Sequence, residues 1–305
     1  MEKKIIDIII PTYKPDEKFK LLIRRLQQQS YPIHRIYVMN TLTDTFPEEF
    51  CQEYGNLEIT HIQPEAFDHG GTRHQGALQS NADIMVYLTQ DAVPCNPQLI
   101  EELVKPFEDE LVGVVYGRQL PNPTCGVIES YTREFNYPNV SRVKSNQDLP
   151  ELGIKTFFCS NVCAAYRKDI YNLMGGFTRK TIFNEDMILA GTMVRAGYKV
   201  AYAASAKVIH SHNYGCLEQL KRNFDLAVSQ TQHSEVFEGI KSETEGIRLV
   251  KKTIQYLCKI RKPWLVIVLI AQSGCKYIGY RLGRNYQKLP QWVVNKCTMN
   301  TRYWK

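Results

Sequence analysis

The run Ile5–Ile10, IIDIII, is apolar and β-branched except at Asp7. A continuous run of this kind fits a strand covered on both faces, as in a parallel sheet, and does not fit a half-exposed alternating strand. Pro11 and Thr12 are expected to end it. Phe19, Leu22, Ile23 and Leu26 then recur at helical spacing, and Arg35–Met39 (RIYVM) supplies a second short strand, so the chain opens β-α-β. Leu57–Ile62 reads as a third strand, Gly76–Gln79 as part of a small helix, and Asp83–Leu88 (DIMVYL) as a fourth strand that delivers Thr89, Gln90 and Asp91. Strands alternating with helices predict an α/β fold around a mostly parallel central sheet. In such sheets ligands bind beyond the carboxyl ends of the strands, which directs attention to the residues just after each one.

Val112 to about Leu152 is rich in Pro, Asn and Tyr and is expected to be an irregular surface excursion. Patterning resumes with Thr156–Arg167 (TFFCSNVCAAYR), a turn at Gly175–Phe177, a helix from about Asn184 to Ala196, and a strand near Lys199–Ala203. The nine cysteines are odd in number and none is spaced C-x-x-C, which suggests free thiols in a reducing compartment. The N-terminus has only a short apolar run before Pro11 and reads as the first strand, not as a signal peptide.

Charge divides the chain. Lys plus Arg number 38 against 31 Asp plus Glu, yet Gly246–Lys305 carries 13 basic residues and no acidic one. The first 245 residues therefore hold 25 basic and 31 acidic residues, a net of −6. A nucleic-acid-binding fold would show its basic excess across the body, so that class is disfavoured. A tail touching an anionic surface is favoured. The expected division is an α/β domain over 1–242 and a basic helical region over 243–305. In the latter, Ile247, Val250, Ile254 and Leu257 form a stripe at helical spacing, and Pro263 opens a second segment, Trp264–Leu282. Its uninterrupted apolar run, Trp264–Ala271, is far short of the roughly 20 residues that span a bilayer. Two readings stay open: helices lying in the plane of a membrane surface, or a helical pair packed on the body or on a second subunit. Gly279 and Gly283, at G-x-x-x-G spacing, would permit close helix contact.

Four places could carry chemistry. Asp91, directly after the fourth strand, could hold a hard cation or a ribose hydroxyl, or simply cap a turn. In Asp68–His74 (DHGGTRH), paired glycines admit a ligand close to the backbone and Arg73 offers a fork for phosphate oxygens. The same letters also suit a Gly-rich turn leading into a helix. Glu185 and Asp186 open a helix, where the helix dipole alone favours them, and one could instead be a general base that deprotonates an acceptor hydroxyl. His210 and His212, in VIHSHNY, fall on one side of an extended chain and could supply a metal ligand.

PTYKP after the first strand, DHGGTRH, YLTQDA, GGF…NED and VIHSHNY occur in that order. Together they resemble family 2 glycosyltransferases of the GT-A fold, and among these the bacterial rhamnosyltransferases of cell-surface polysaccharides, which implies a Rossmann-like, mostly parallel central sheet followed here by a C-terminal basic amphipathic helical extension. The resemblance runs from about Ile5 to Ser229 and closes on Arg222–Gln230 (RNFDLAVSQ). It implies an inverting single displacement on a nucleotide sugar, with Asp186 as base. It implies Mg²⁺ or Mn²⁺ held by Asp91 with His210 or His212. It also implies a nucleotide-sugar site comprising Pro11, Thr12, Tyr13, Asn40, His69, Arg73, Gln90, Asp91 and Glu185. Two positions depart from the family pattern: Asn40 stands where an Asp is usual, and the D-x-D motif is reduced to TQD. The function so implied is transfer of L-rhamnose from dTDP-β-L-rhamnose to a lipid-linked saccharide, by a cytoplasmic enzyme peripheral to the inner face of the plasma membrane. A UDP-hexose or UDP-N-acetylhexosamine donor is the alternative within the class. A non-catalytic scaffold with a recruiting tail is the alternative outside it, and a homo-oligomeric contact of the tail is a further expectation.

Overall fold

The computed structural model describes residues 3–239 and 243–304. Among the described residues nine strands form one sheet: β1 Ile6–Tyr13, β2 Arg35–Thr41, β3 Leu57–Ile62, β4 Ile84–Leu88, β5 Val93–Pro94, β6 Val112–Leu120, β7 Arg142–Lys144, β8 Cys163–Arg167 and β9 Lys199–Ile209. Their order is β3-β2-β1-β4-β8-β6-β9-β5, with β7 also paired to β9. Most paired residues run parallel, through β3-β2-β1-β4 and again in β6/β9, while β8 is antiparallel to both of its neighbours. This is the expected α/β, GT-A-like sheet with one reversed strand inside it.

The apolar run of β1 is buried on both faces, and Asp7 within it accepts from Ser80 Oγ at 2.7 Å and pairs with His34 Nδ1 at 2.9 Å. A buried carboxylate is tolerable when both oxygens are engaged in this way. Pro11 and Thr12 do not end the strand, as was expected of them. Pairing with β4 stops at Ile9 while pairing with β2 continues to Tyr13, so Pro11 lies where one flank is already free and its missing N–H breaks no ladder there.

The stretch from Val112 is also more regular than its composition predicts. It contains β6, a helix at Val127–Asn136, and β7. Glycines in β6 concealed the strand, because Gly reads as turn when nothing shows its neighbours. A Cβ at Gly117 would stand 2.8 Å from the Ala206 carbonyl and 2.9 Å from Cys163 Sγ, so this glycine permits close approach of β8 and β9. β9 likewise runs past the expected Ala203. Its register against β6 jumps from Gly117–Ala203 to Arg118–Lys207, a bulge after which the strand continues to Ile209.

The chain divides into two compact units. The first comprises Met1–Asn122, Tyr137–Lys180 and Glu185–His210 and contains the entire sheet. The second comprises Pro123–Asn136, Thr181–Asn184 and Ser211–Lys305. The boundary expected after Ser242 falls outside the described residues. Within the second unit the helices Cys216–Gln232 and Leu265–Arg284 pack at their backbones. A Cβ on Gly279 would collide with the Leu220 carbonyl, and one on Gly283 with the Phe224 carbonyl. Ile182, Phe224, Val228 and Val294 form a small core beside them. Among the described residues no helix is long and apolar enough to cross a membrane. All nine cysteines are free thiols.

Candidate active site

The carboxyl ends of β1, β2 and β4 lie side by side in the first unit. Thr12 and Asn40 face each other in register, both buried, and Thr12 Oγ1 donates to Asn40 Oδ1 at 3.0 Å. Asn40 Nδ2 lies 3.1 Å from His61 Nδ1. An amide accepts on one side and donates on the other, which a carboxylate cannot do, so the departure from Asp at this position has a local partner. Asn40 is fully buried and underlies the edge, whereas Tyr13 is 52 % exposed at the end of β1 and presents its ring to solvent. Tyr13 N–H donates to Gln90 Oε1 at 2.8 Å, and Gln90 Nε2 returns a bond to the Tyr13 carbonyl at 3.1 Å. The middle residue of TQD thus fastens β1 to the end of β4, with half-buried Pro11 just upstream.

Asp91 follows directly. Its Oδ1 lies 3.6 Å from His210 Nε2. His210 extends β9, its N–H donating to the Leu120 carbonyl, and its Nδ1 lies 3.1 Å from Gln119 Oε1. Gln119 uses Nε2 on the Tyr137 hydroxyl at 2.7 Å and the Ser160 hydroxyl at 3.0 Å, which leaves Oε1 to accept from His210 Nδ1–H. Nε2 is then the nitrogen that faces the Asp91 carboxylate. An imidazole nitrogen and a carboxylate oxygen placed this way suit a shared divalent cation, and the Gln119 amide orients the ring. His212 lies two residues further along the chain, is half-buried, and belongs to the second unit.

Asp186 and Glu185 open the helix Glu185–Arg195. Asp186 is half-buried; its Oδ2 accepts from Asn161 N–H at 2.9 Å and its Oδ1 from Met187 N–H at 2.8 Å. Burial, followed by the negative charge of Glu185, raises its pKa to about 7 despite these bonds. Glu185 goes the other way. Burial would raise it, but Arg73, His69 and the Asn161 amide outweigh burial and hold it ionised. Arg73 Nη1 sits 3.2 Å from Glu185 Oε1 and donates to the His69 carbonyl at 3.0 Å, while Asn161 Nδ2 donates to Glu185 Oε1 at 3.1 Å. Two adjacent carboxylates with opposite shifts separate into a fixed anion and a proton acceptor poised near neutrality.

The DHGGTRH segment is mostly helix. Asp68 caps Gly71 N–H, and His69–Gln79 is helical. A Cβ at Gly70 would collide with the Thr178 carbonyl, so that glycine serves close packing of the helix against the segment after the Gly175–Phe177 turn. Arg73 is buried against Glu185.

Asn161 was not singled out from the sequence. Its position follows from the reversal of β8: because β8 is antiparallel to β4, Cys163 pairs with Leu88, and the residues before β8 lie at the carboxyl end of β4. Its amide is fixed by the Tyr166 hydroxyl, which donates to Asn161 Oδ1 at 2.9 Å. Gln119 was missed for a related reason, since β6 itself was not read as a strand.

Residues 7–174 match the glycosyl transferase family 2 profile. Over 303 residues, 98 % of this chain and 96 % of the relative, the sequence is 37 % identical to the O-antigen chain rhamnosyltransferase RfbN of Salmonella typhimurium. It is 36 % identical over 302 residues to the O-antigen chain rhamnosyltransferase WbaN of Salmonella anatum, covering 97 % of this chain and 95 % of that one. Among solved structures, the mannosyltransferase PcManGT from Pyrobaculum calidifontis, in complex with GDP-Man and Mn2+, superposes with a TM-score of 0.59 at 15 % identity, covering all of this chain and 89 % of that one. S. aureus TarS 1–349 in complex with UDP-GlcNAc gives 0.55 at 13 % identity, covering 93 % and 91 %. At those identities the structural likeness speaks to the fold alone. By profile, by full-length similarity and by its GT-A-like sheet, this chain belongs to glycosyl transferase family 2.

Proposed function

We propose that this protein is an inverting rhamnosyltransferase that moves L-rhamnose from dTDP-β-L-rhamnose to a hydroxyl of a lipid-linked saccharide, forming an α-linkage during cell-surface polysaccharide synthesis. The observation that carries the activity is Asp186, a partly exposed carboxylate raised to about 7 beside an ionised Glu185 at the carboxyl edge of the sheet. The sugar rests on the full-length similarity to two named rhamnosyltransferases. A panel of dTDP-rhamnose, UDP-hexoses and UDP-N-acetylhexosamines, offered with Mn²⁺ and a lipid-linked acceptor, tests the donor. Turnover of a UDP-sugar without turnover of dTDP-rhamnose replaces it, and no turnover of any donor favours a scaffold.

In this reading Tyr13 meets the nucleotide base, and Thr12, Asn40 and Gln90 hold the strand ends that carry it. Arg73 and Glu185 fix the helix turn on which Asp186 sits, with His69 beside them. Asp91 and His210 would hold Mg²⁺ or Mn²⁺. Such an ion, when bound there, would neutralise charge on a leaving diphosphate. Asp186 takes the proton of the acceptor hydroxyl as the new bond forms on the opposite face of the sugar. The basic tail keeps the enzyme on the cytoplasmic face of the membrane that bears the acceptor.

Because the working base is the ionised form, kcat/KM for the acceptor is expected to rise with pH and reach half its plateau near 7. A pH profile of kcat/KM checks this; a value that is flat from pH 5 to 8 removes Asp186 from the role. Asp91→Ala is expected to lower transfer by more than about 100-fold and to raise the Mn²⁺ concentration needed for half-activity. Mn²⁺ titration of activity reads both effects.

A further inference from the structure

The helix Leu265–Arg284 packs on protein along one side only. Its inward side carries Leu269, Gln272, Lys276, Gly279 and Gly283. The two glycines abut the helix Cys216–Gln232, Gln272 lies within reach of the Tyr214 carbonyl, and Lys276 is half-buried near Glu129 and Arg222. The outward side is apolar. Ile267 is 75 % exposed, Ile270 58 %, Tyr277 56 % and Ile278 51 %, and Trp264 just before the helix is 63 % exposed. No charged residue occurs from Trp264 to Cys275. A helix packed on protein along one side ordinarily turns its polar residues to water, so an apolar outer ridge of this length marks a surface meant to be covered.

We propose that this ridge lies flat in the interfacial layer of an anionic lipid bilayer, a mode of attachment that rests on the peripheral residence proposed above and specifies its surface. Lys259, Arg261 and Lys262 are exposed just before the ridge, and Arg281 and Arg284 at its far end, so basic groups flank an apolar strip. That pattern complements acidic headgroups over acyl chains. Trp264 and Tyr277 are the side chains that favour the boundary between headgroup and hydrocarbon. A helix of this length extends about 30 Å, and in-plane helices bury their apolar face about 5–10 Å deep. A second copy of this chain is a poorer occupant. Two-fold pairing sets like against like, and residues 246–305 hold 13 basic residues with no acidic one to answer them.

The test uses full-length protein, with vesicles of phosphatidylglycerol and phosphatidylcholine compared with phosphatidylcholine alone. Wild type is expected to float with the anionic vesicles, and Ile267→Asn/Ile270→Asn/Ile278→Asn to lose at least about tenfold in partitioning. Its melting temperature and its donor affinity are expected to stay unchanged, because all three side chains face outward. If wild type floats and the triple variant floats equally well, the ridge is overturned while peripheral residence stands. If wild type fails to float, both fall. If gel filtration without lipid shows a wild-type dimer that the triple variant converts to monomer, the ridge is a self-contact and the lipid proposal is overturned.

Discussion

Asp186→Asn is expected to lower transfer by about 10³-fold or more while leaving donor affinity within a few-fold of wild type. The Asn side chain keeps one oxygen, which accepts from Asn161 N–H or Met187 N–H but not from both, so one of the two bonds at the first turn of the helix remains. What disappears is the ability to hold a proton. Product formation under single-turnover conditions, alongside calorimetric titration of the donor, separates the two quantities. Turnover within tenfold of wild type would show that another group is the base. Stability supplies a control with a definite sign. Asp186 has its pKa raised from an ordinary 3.8 to about 7, so its contribution to folding is full below pH 4 and is lost as pH climbs from 4 to 7. The Asn variant should lack this decline and melt no lower than wild type at pH 8. A variant that is both inactive and markedly less stable at pH 8 would point to a misplaced helix.

Gly279→Val is expected to cost about 3 kcal/mol or more and to lower the melting temperature by at least about 5 °C. The obstacle to a side chain there is the Leu220 carbonyl, a backbone atom of a packed helix, and backbone cannot yield as a flexible side chain does. Gly274→Ala is the matched control. A Cβ at Gly274 meets nothing within 4 Å, and replacing a helical glycine by alanine gains about 0.5–1 kcal/mol. Opposite shifts in differential scanning calorimetry from two glycines five residues apart would establish that the contact, and not glycine loss as such, sets the effect. A Gly279→Val melt within 2 °C of wild type would refute it.

The parts legible in the sequence were those governed by local rules. β1 to β4 emerged from apolar runs separated by helical spacing, and the rule that ligands sit beyond strand ends led to Asp91, while Thr12 and Gln90 were named only through the family resemblance. The parts that were not legible depended on partners distant in sequence. β6 was hidden because Gly117 answers to Ala206 and Cys163, neither of which is near it in the chain. Asn161 gave no signal because its importance comes from the direction of β8, which no local pattern encodes. Arg73 and the glycines of DHGGTRH read equally well as ligand contacts, and only the fold revealed Glu185 and the Thr178 carbonyl as their neighbours. The tail's charge was plain from composition, but which side of its second helix faces outward was decided by Gly279 and Gly283 docking on another helix.

The bulge in β9 carries a consequence for how such an enzyme can vary. A strand has parity: odd and even positions look to opposite sides of the sheet. Between the Gly117–Ala203 and Arg118–Lys207 pairings, β9 takes up three more residues than β6, an odd number, and so inverts that parity before it reaches His210. Loss or gain of a single residue among Ala204, Ser205 and Ala206 would restore the original phase and turn the last strand positions over. The imidazole opposite Asp91 would be re-aimed without any change to itself, to Asp91 or to Gln119. Spacing in this unremarkable Ala-Ser-Ala segment is therefore as much a determinant of the site as the identity of its residues.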